Sequence, residues 1–326
     1  MKTAFLSVYL SIMPILTIIM TVAGLCLFET ISSVDNAIIN AEVLSGLGKK
    51  SRRWFLTWGI VIAVFAVRGL LPWLIVWGSL PTLGPIGAFL AAFSGDPLVQ
   101  EAVESAKPIL LMAGGVFLLL LFLHWLFQEP KEFGLPGERF FMKQGVWFFA
   151  AASLLICALV WFASLPPPPS LAAGAASSGK LAFAVTLGST AFFITSGFKQ
   201  NAEKQEASLL GSAMSDISKL LYLEIIDLTF SIDGVLGAFA FTLSVPLILI
   251  GNGLGAIVVR QITIGNIERI KSYRFLKNGA MYSILALGAV MTCEAFGLHL
   301  PEWLSPLATF LIVGFFFWKS AIDKRP

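Results

Sequence analysis

The sequence predicts an all-α, polytopic membrane protein built from two inverted three-helix repeats, and three observations predict it. Of 326 residues, 57% are hydrophobic and 13% charged, with a mean hydropathy of +0.86. Apolar runs repeatedly exceed the roughly 18 residues that cross a bilayer. Within two of these runs a pattern of acid, three residues, Ser, one residue, Asp occurs twice: Glu29, Ser33, Asp35 and Asp227, Ser231, Asp233.

Taken in order, the runs predict nine spans, at about 12–46, 54–79, 108–128, 144–165, 180–197, 219–243, 246–267, 278–298 and 302–318. The first is long for one crossing, and either a single helix or two segments, broken near Pro14, accommodates it. No small-residue cleavage site interrupts it before Glu29, so it reads as retained rather than as a signal peptide. With the N-terminus outside, one face receives 17 Lys and Arg, among them Lys49, Arg139, Lys219, Lys277 and Lys319, and the other only Lys2, Lys107 and Lys180. This bias predicts a cytoplasmic C-terminus. Residues 80–107 and the Pro166–Pro169 stretch read as outer connections, and 197–218 as a solvated cytoplasmic connector.

The repeat organises these spans. Ser33 and Asp35 in span 1 match Ser231 and Asp233 in span 6, while Gly59 and Arg68 in span 2 match Gly251 and Arg260 in span 7 at the same nine-residue separation. Two spans intervene between the three-span units, so the halves are inverted, an arrangement that in transporters places the substrate at the repeat interface. The predicted organisation is a first repeat with its N-terminal extension over 1–128, linker helices and loops over 129–218, the second repeat over 219–298, and a terminal helix with a cytoplasmic tail over 299–326. Asp35 lies 14 residues before Lys49 and Asp233 lies 14 after Lys219. At 1.5 Å per residue each sits about 21 Å from the cytoplasmic charges, so the two can meet.

Four acids in membrane helices cost about 10–14 kcal/mol on insertion scales, which demands a compensating ligand or counter-charge. Glu29, Ser33, Asn36 and Asn40 share one helix stripe, and Glu224, Asp227, Ser231 and Ala238 another. Asp35 and Asp233 fall about 120° away on ideal helices of 3.6 residues per turn. Either the site's wall is wide, or each helix is locally unwound near its Ser-x-Asp step, with Gly234 easing this in the second copy. The candidate ligands are therefore Glu29, Ser33, Asp35, Asn36, Asp227, Ser231 and Asp233, supported by Asn40, Arg68, Glu224 and Arg260, the two arginines as counter-charges. Hard oxygen ligands without histidine or thiolate suit Mg²⁺, Ca²⁺ or Mn²⁺. Cys26, Cys157 and Cys293 have no paired spacing and read as packing residues. His124, Glu294 and His299 read as interfacial side chains.

"FETISSVDNAIINAEVLSGL" over 28–47 and "LEIIDLTFSIDGVLGAFAFT" over 223–242, each followed by a span bearing an Arg, resemble the paired signatures of the TerC-type integral membrane proteins, nearest to the branch with Asp-Gly-Val in the second motif. The resemblance runs over most of the chain from about residue 20. It implies a multi-pass bacterial inner-membrane protein and, from better-studied members, export of manganese; the family's name comes from tellurite resistance. Glu29, Asp35, Asn36, Asp227 and Asp233 are the site positions it implies. Gly234 to Gly237 departs from the manganese-associated members, which carry Ser and Pro after the aspartate, so Ca²⁺ and Mg²⁺ stay open. The expectation is a transporter using alternating access, with divalent cation as substrate, no organic cofactor, membrane lipid as the other partner and no enzymatic or nucleic-acid role. A non-transporting scaffold or metal-stress sensor, and an exporter of a small organic cation, are the alternatives.

Overall fold

The computed structural model describes residues 2–33, 48–59, 81–91, 97–131, 133–166, 178–209, 236–242, 244–265 and 273–323, with single positions 62, 70, 73, 74, 77, 217, 220 and 234. Among the described residues every regular element is helical, in agreement with the predicted class. The principal helices are α1 (Lys2–Ser32), α2 (Lys49–Trp54), α3 (Gly84–Ala91), α4 (Pro97–Gln128), α5 (Pro136–Lys143), α6 (Phe148–Ser164), α7 (Ser178–Leu209), α8 (Val245–Gly265), α9 (Leu276–Ala295) and α10 (Leu304–Asp323). Segments Ile15–Ser32, Ser105–Gln128, Gly145–Ser164, Ser178–Asn201 and Leu304–Asp323 are each long and apolar enough to cross a bilayer. A shorter apolar helix covers Val245–Gln261. Outward-facing Phe149, Leu154, Trp161, Phe183 and Leu311 are more than half exposed, as a lipid-facing surface requires.

Two helices run past their predicted spans for local reasons, while the apolar stretches themselves stay at 105–128 and 178–201. The third span begins as a helix at Pro97 rather than near 108, because proline at a helix start surrenders only an N–H that has no intrahelical partner. Pro108 then sits inside the helix. The connector expected over 197–218 is helical as far as Leu209, since Ala, Glu, Gln and Lys favour helix and nothing after Gly197 breaks it.

Close approaches at small residues give the relative helix directions. Leu25 of α1 lies opposite Gly251 of α8 and Glu29 opposite Gly255, four residues along on both, so these helices run parallel. α1 also runs parallel to α10: Gly24 faces Pro306, and seven residues later Ile31 packs with Val313. α4 and α9 are antiparallel, because Gly115 faces Thr292 and Leu119 faces Gly288. α9 and α10 are antiparallel too: the Phe275 N–H donates to Ser320 Oγ at 3.0 Å, while Gly279 faces Phe316. α1, α8 and α10 thus share one direction, with α9 opposed.

The core lies where α4, α9 and α7 meet, around Met112, Phe117, Trp125, Phe192, Leu287 and Met291. With apolar lipid outside, helices gain little from hydrophobic burial against one another, and close packing at small residues does the work. Gly188 of α7 accordingly lies directly against the Ala113 carbonyl of α4, and Gly115 and Gly288 each face the other's carbonyl across α4 and α9.

At one end of this bundle a polar network ties the helices together. Lys131 Nζ donates to the carbonyls of Trp125 at 2.6 Å and Leu126 at 2.9 Å, satisfying the last turn of α4. Glu129 and Lys277 pair at 2.7 Å, joining the end of α4 to the start of α9. Glu138, 1% exposed, accepts from the Leu135 N–H at 2.9 Å and from Asn278 Nδ2 at 2.7 Å, docking α5 on α9. Burial opposes ionisation of Glu129, but the Lys277 charge and hydrogen bond outweigh it and hold the carboxyl below its ordinary value. Lys131 is also held low, by burial, with Glu129 and Glu138 partly restoring it.

Candidate functional site

The site is assembled on the last turns of α1. Glu29 is 2% exposed, and Ser33, one turn later, donates from Oγ to Glu29 Oε1 at 2.9 Å. The spacing of four makes this contact local, as the shared stripe predicts. A hydrogen bond to a carboxylate contributes about 1.5–3 kcal/mol, comparable to the roughly 2.5–3.5 kcal/mol cost of one acid at a membrane helix centre. α1 ends at Ser32, with Ser33 in a turn closed by its N–H onto the Glu29 carbonyl at 3.1 Å. The described helix thus stops at the first Ser-x-Asp step.

Two other segments close on Glu29. Gly234 follows the second Ser-x-Asp in sequence, and a Cβ there would stand 2.7 Å from Glu29 Oε2. Gly255 of α8 lies flush against the same side chain: a Cβ would meet Glu29 Cβ at 2.6 Å and the Cys26 carbonyl at 2.8 Å. Gly237 packs directly on Phe28, one residue before Glu29. The Ser231-x-Asp233 step, where local unwinding is expected, lies outside the described residues; Gly234 itself is helical without a positive φ and provides space for the Glu29 carboxyl group. The chain leaves the helix later, in a turn at 239–241 where the Ala240 and Phe241 N–H groups donate to the Gly237 and Ala238 carbonyls.

Arg260, five residues after Gly255, is 7% exposed. Its Nη1 donates to the Phe55 carbonyl at 2.7 Å and its guanidinium lies 4.1 Å from the centre of the Phe55 ring. Phe55 opens a π-helical turn, Phe55–Gly59, a distortion that often accompanies functional sites. Arg260 therefore couples α8 to the beginning of the second predicted span. Of the other predicted residues, Asp35, Asn36, Asn40, Arg68, Glu224, Asp227, Ser231 and Asp233 lie outside the described residues. Among the described residues no three His, Cys, Asp or Glu side chains gather as a metal would need.

The remaining polar candidates fall elsewhere. His124 packs edge-on against Phe148 and Phe192. Glu294, His299 and Lys107 line a hollow of about 270 Å³ at the end of α4 and α9 opposite the Glu129–Lys277 pair. Cys26, Cys157 and Cys293 are all free thiols.

One residue escaped sequence reasoning. Asn252 of α8 is 0% exposed, and neither Nδ2 nor Oδ1 has a hydrogen-bond partner. Each buried unsatisfied polar group costs about 1–3 kcal/mol. The signal was present: Asn252 interrupts the apolar run from Val245 to Val259, where an amide needs explanation as much as a carboxylate does.

The model of the family described as "Protein of unknown function (DUF475)" matches residues 34–326. No curated protein and no solved structure matches the chain.

Proposed function

This chain belongs to the DUF475 family, and from that premise we propose that it is an inner-membrane transporter that exports a divalent cation, with Mn²⁺ as the leading substrate, by alternating access. The observation that carries the reading is the buried Glu29 carboxyl, held by Ser33 from its own helix and approached by Gly234 from the second acidic motif. A lone acid in lipid is costly, whereas an acid at the meeting of two acid-bearing segments forms a cation site once the remaining aspartates contribute. The proposed ligand set is Glu29, Ser33, Asp35, Asn36, Asp227, Ser231 and Asp233. The ion neutralises acids from both halves, which makes occlusion in a low dielectric feasible.

The inverted-repeat architecture belongs to this proposal. One packing feature supports it: α4 and α9, the third members of the two repeats, cross antiparallel at reciprocal glycines, as a pseudo-twofold axis between them asks. The TerC-type resemblance supplies the preference for Mn²⁺ over Ca²⁺ or Mg²⁺ and for export over uptake.

Flux in liposomes tests the reading. Purified protein should move Mn²⁺ across the bilayer, and Glu29→Gln, Asp35→Asn and Asp233→Asn should each abolish the flux while the protein still inserts and folds, because each removes charge at nearly constant volume. A wild-type protein that moves no divalent cation, or mutants with unchanged flux, would remove it and favour a scaffold or sensor.

A further inference from the structure

Asn252 is the one residue among the described ones whose side-chain amide is wholly buried with both polar atoms unpartnered. Polar residues that bind membrane helices together do so by hydrogen bonding across the interface, and Asn252 makes no such bond. Its position relates it to Glu29. Gly255, three residues further along α8, would meet Glu29 Cβ at 2.6 Å if it had a side chain of its own, and residues three apart on a helix are neighbours about 5–6 Å apart at Cβ. Gly251, immediately before Asn252, lies against Leu25, one turn before Glu29. The two glycines bring α1 and α8 together on either side of Asn252 in sequence, and the Asn252 amide is buried with its hydrogen-bonding capacity unused.

We propose that the Asn252 carboxamide is a further ligand of the cation site, its Oδ1 binding a divalent cation beside Glu29. The proposal rests on the reading of Glu29 as part of a cation site and deepens it. A side-chain amide oxygen is a hard, neutral ligand of the kind that Ca²⁺ and Mn²⁺ accept beside carboxylates. It adds coordination without adding another negative charge to a site already rich in acids. In the repeat, Gly251 corresponds to Gly59, so Asn252 corresponds to Ile60 and the ligand is present in one half only. Cation binding would give Oδ1 the partner it lacks and offset part of the cost of burying the amide; the Nδ2 group, a donor only, gains nothing from the ion itself.

The test is a thermal-shift titration of the purified full chain with Mn²⁺, Ca²⁺ and Mg²⁺, carried out in parallel on wild type, Asn252→Leu, Asn252→Asp and Glu29→Gln. An apolar residue of similar size relieves the unsatisfied amide, so Asn252→Leu is expected to match or exceed wild type in metal-free stability while its Mn²⁺ affinity falls at least tenfold. Asn252→Asp, which keeps the oxygen, is expected to retain Mn²⁺ binding and carries the test if Asn252→Leu does not fold. Wild-type affinity in Asn252→Leu together with lost affinity in Glu29→Gln would overturn the assignment and leave the cation site standing. Asn252→Leu that is less stable without metal but binds Mn²⁺ normally would make the amide structural and overturn it too. A wild-type protein that none of the three ions stabilises would overturn both the cation site and its Asn252 ligand.

Discussion

Glu29 occupies space that two glycines leave open, so the site is sensitive to single methyl groups. Gly255→Ala would place a Cβ 2.6 Å from Glu29 Cβ and 2.8 Å from the Cys26 carbonyl, both on the body of a packed helix that cannot swing aside. We expect it to cost about 1–3 kcal/mol of stability, seen as a lowered melting temperature in detergent. A residue that unfolds no earlier than wild type would show that α1 and α8 do not pack in this register. Arg260 gives a second expectation. Arg260→Met forfeits a charge-assisted hydrogen bond to the Phe55 carbonyl and a ring contact, together about 2–4 kcal/mol. Arg260→Lys should restore little of it, since a lysine cannot lie flat on the ring while aiming at the carbonyl. The acid at 29 and the arginine at 260 were legible because charge in an apolar run stands out. The space-making roles of Gly234 and Gly255 were not, because a glycine in a sequence does not say which side chain approaches it.

Helix packing sets the next expectations. Gly188 of α7 touches the Ala113 carbonyl so closely that Gly188→Val should separate α7 from α4 and lower the yield of folded protein. Gly197→Ala, where nothing lies within 4 Å, is the matched control and should be harmless or slightly stabilising. The Glu129–Lys277 pair between α4 and α9 has a pH signature. Lys277 holds the Glu129 carboxyl below its ordinary value, so the unfolded chain binds the proton more readily and stability rises with pH through that window. The contribution is fully present above the ordinary carboxylate range and is lost as the pH falls through the lowered folded value. Lys277→Met should flatten the acid limb of a stability profile measured between about pH 6 and pH 3. The effect is small because both side chains are partly exposed. The extension of α7 to Leu209 shows why the connector's helical start was not legible: polar helix formers after a membrane span look the same in sequence whether they continue the helix or leave it.

Direction and stoichiometry are properties of the whole chain. α1 runs parallel to α10, so the end of α1 and the end of α10 face the same side of the membrane. Single cysteines at Lys49 and Asp323, in a background lacking Cys26, Cys157 and Cys293, should both react with an impermeant reagent from the cytoplasmic face, and one at Leu298 only from the opposite face. Labelling of Lys49→Cys and Asp323→Cys from opposite faces would refute the nine-span topology. The proposed shared site likewise expects equilibrium binding to saturate at one metal per chain, because two dehydrated divalent ions close together in low dielectric repel severely. Two equivalent metals, each lost when one half is mutated, would instead give each repeat its own site.

The sequence by itself determined the helical class, the apolar runs long enough to cross a bilayer at 15–32, 105–128, 145–164, 178–201 and 304–323, and the repeated acidic motifs, because insertion energetics act on composition and run length alone: any sufficiently long apolar run carries the signal wherever it folds. The hydrogen bond from Ser33 to Glu29 was legible as well, since a spacing of four on a helix is a local rule. Only the tertiary structure decided that Gly234 and Gly255 receive the Glu29 side chain, that Arg260 reaches Phe55 some two hundred positions away, and that Asn252 is buried with its amide unsatisfied. Those relations depend on which helix faces lie in register across the interior. Between apolar helices in lipid, that register is selected by the fit of small residues against particular neighbours, and fit is a property of two surfaces that no single stretch of chain contains.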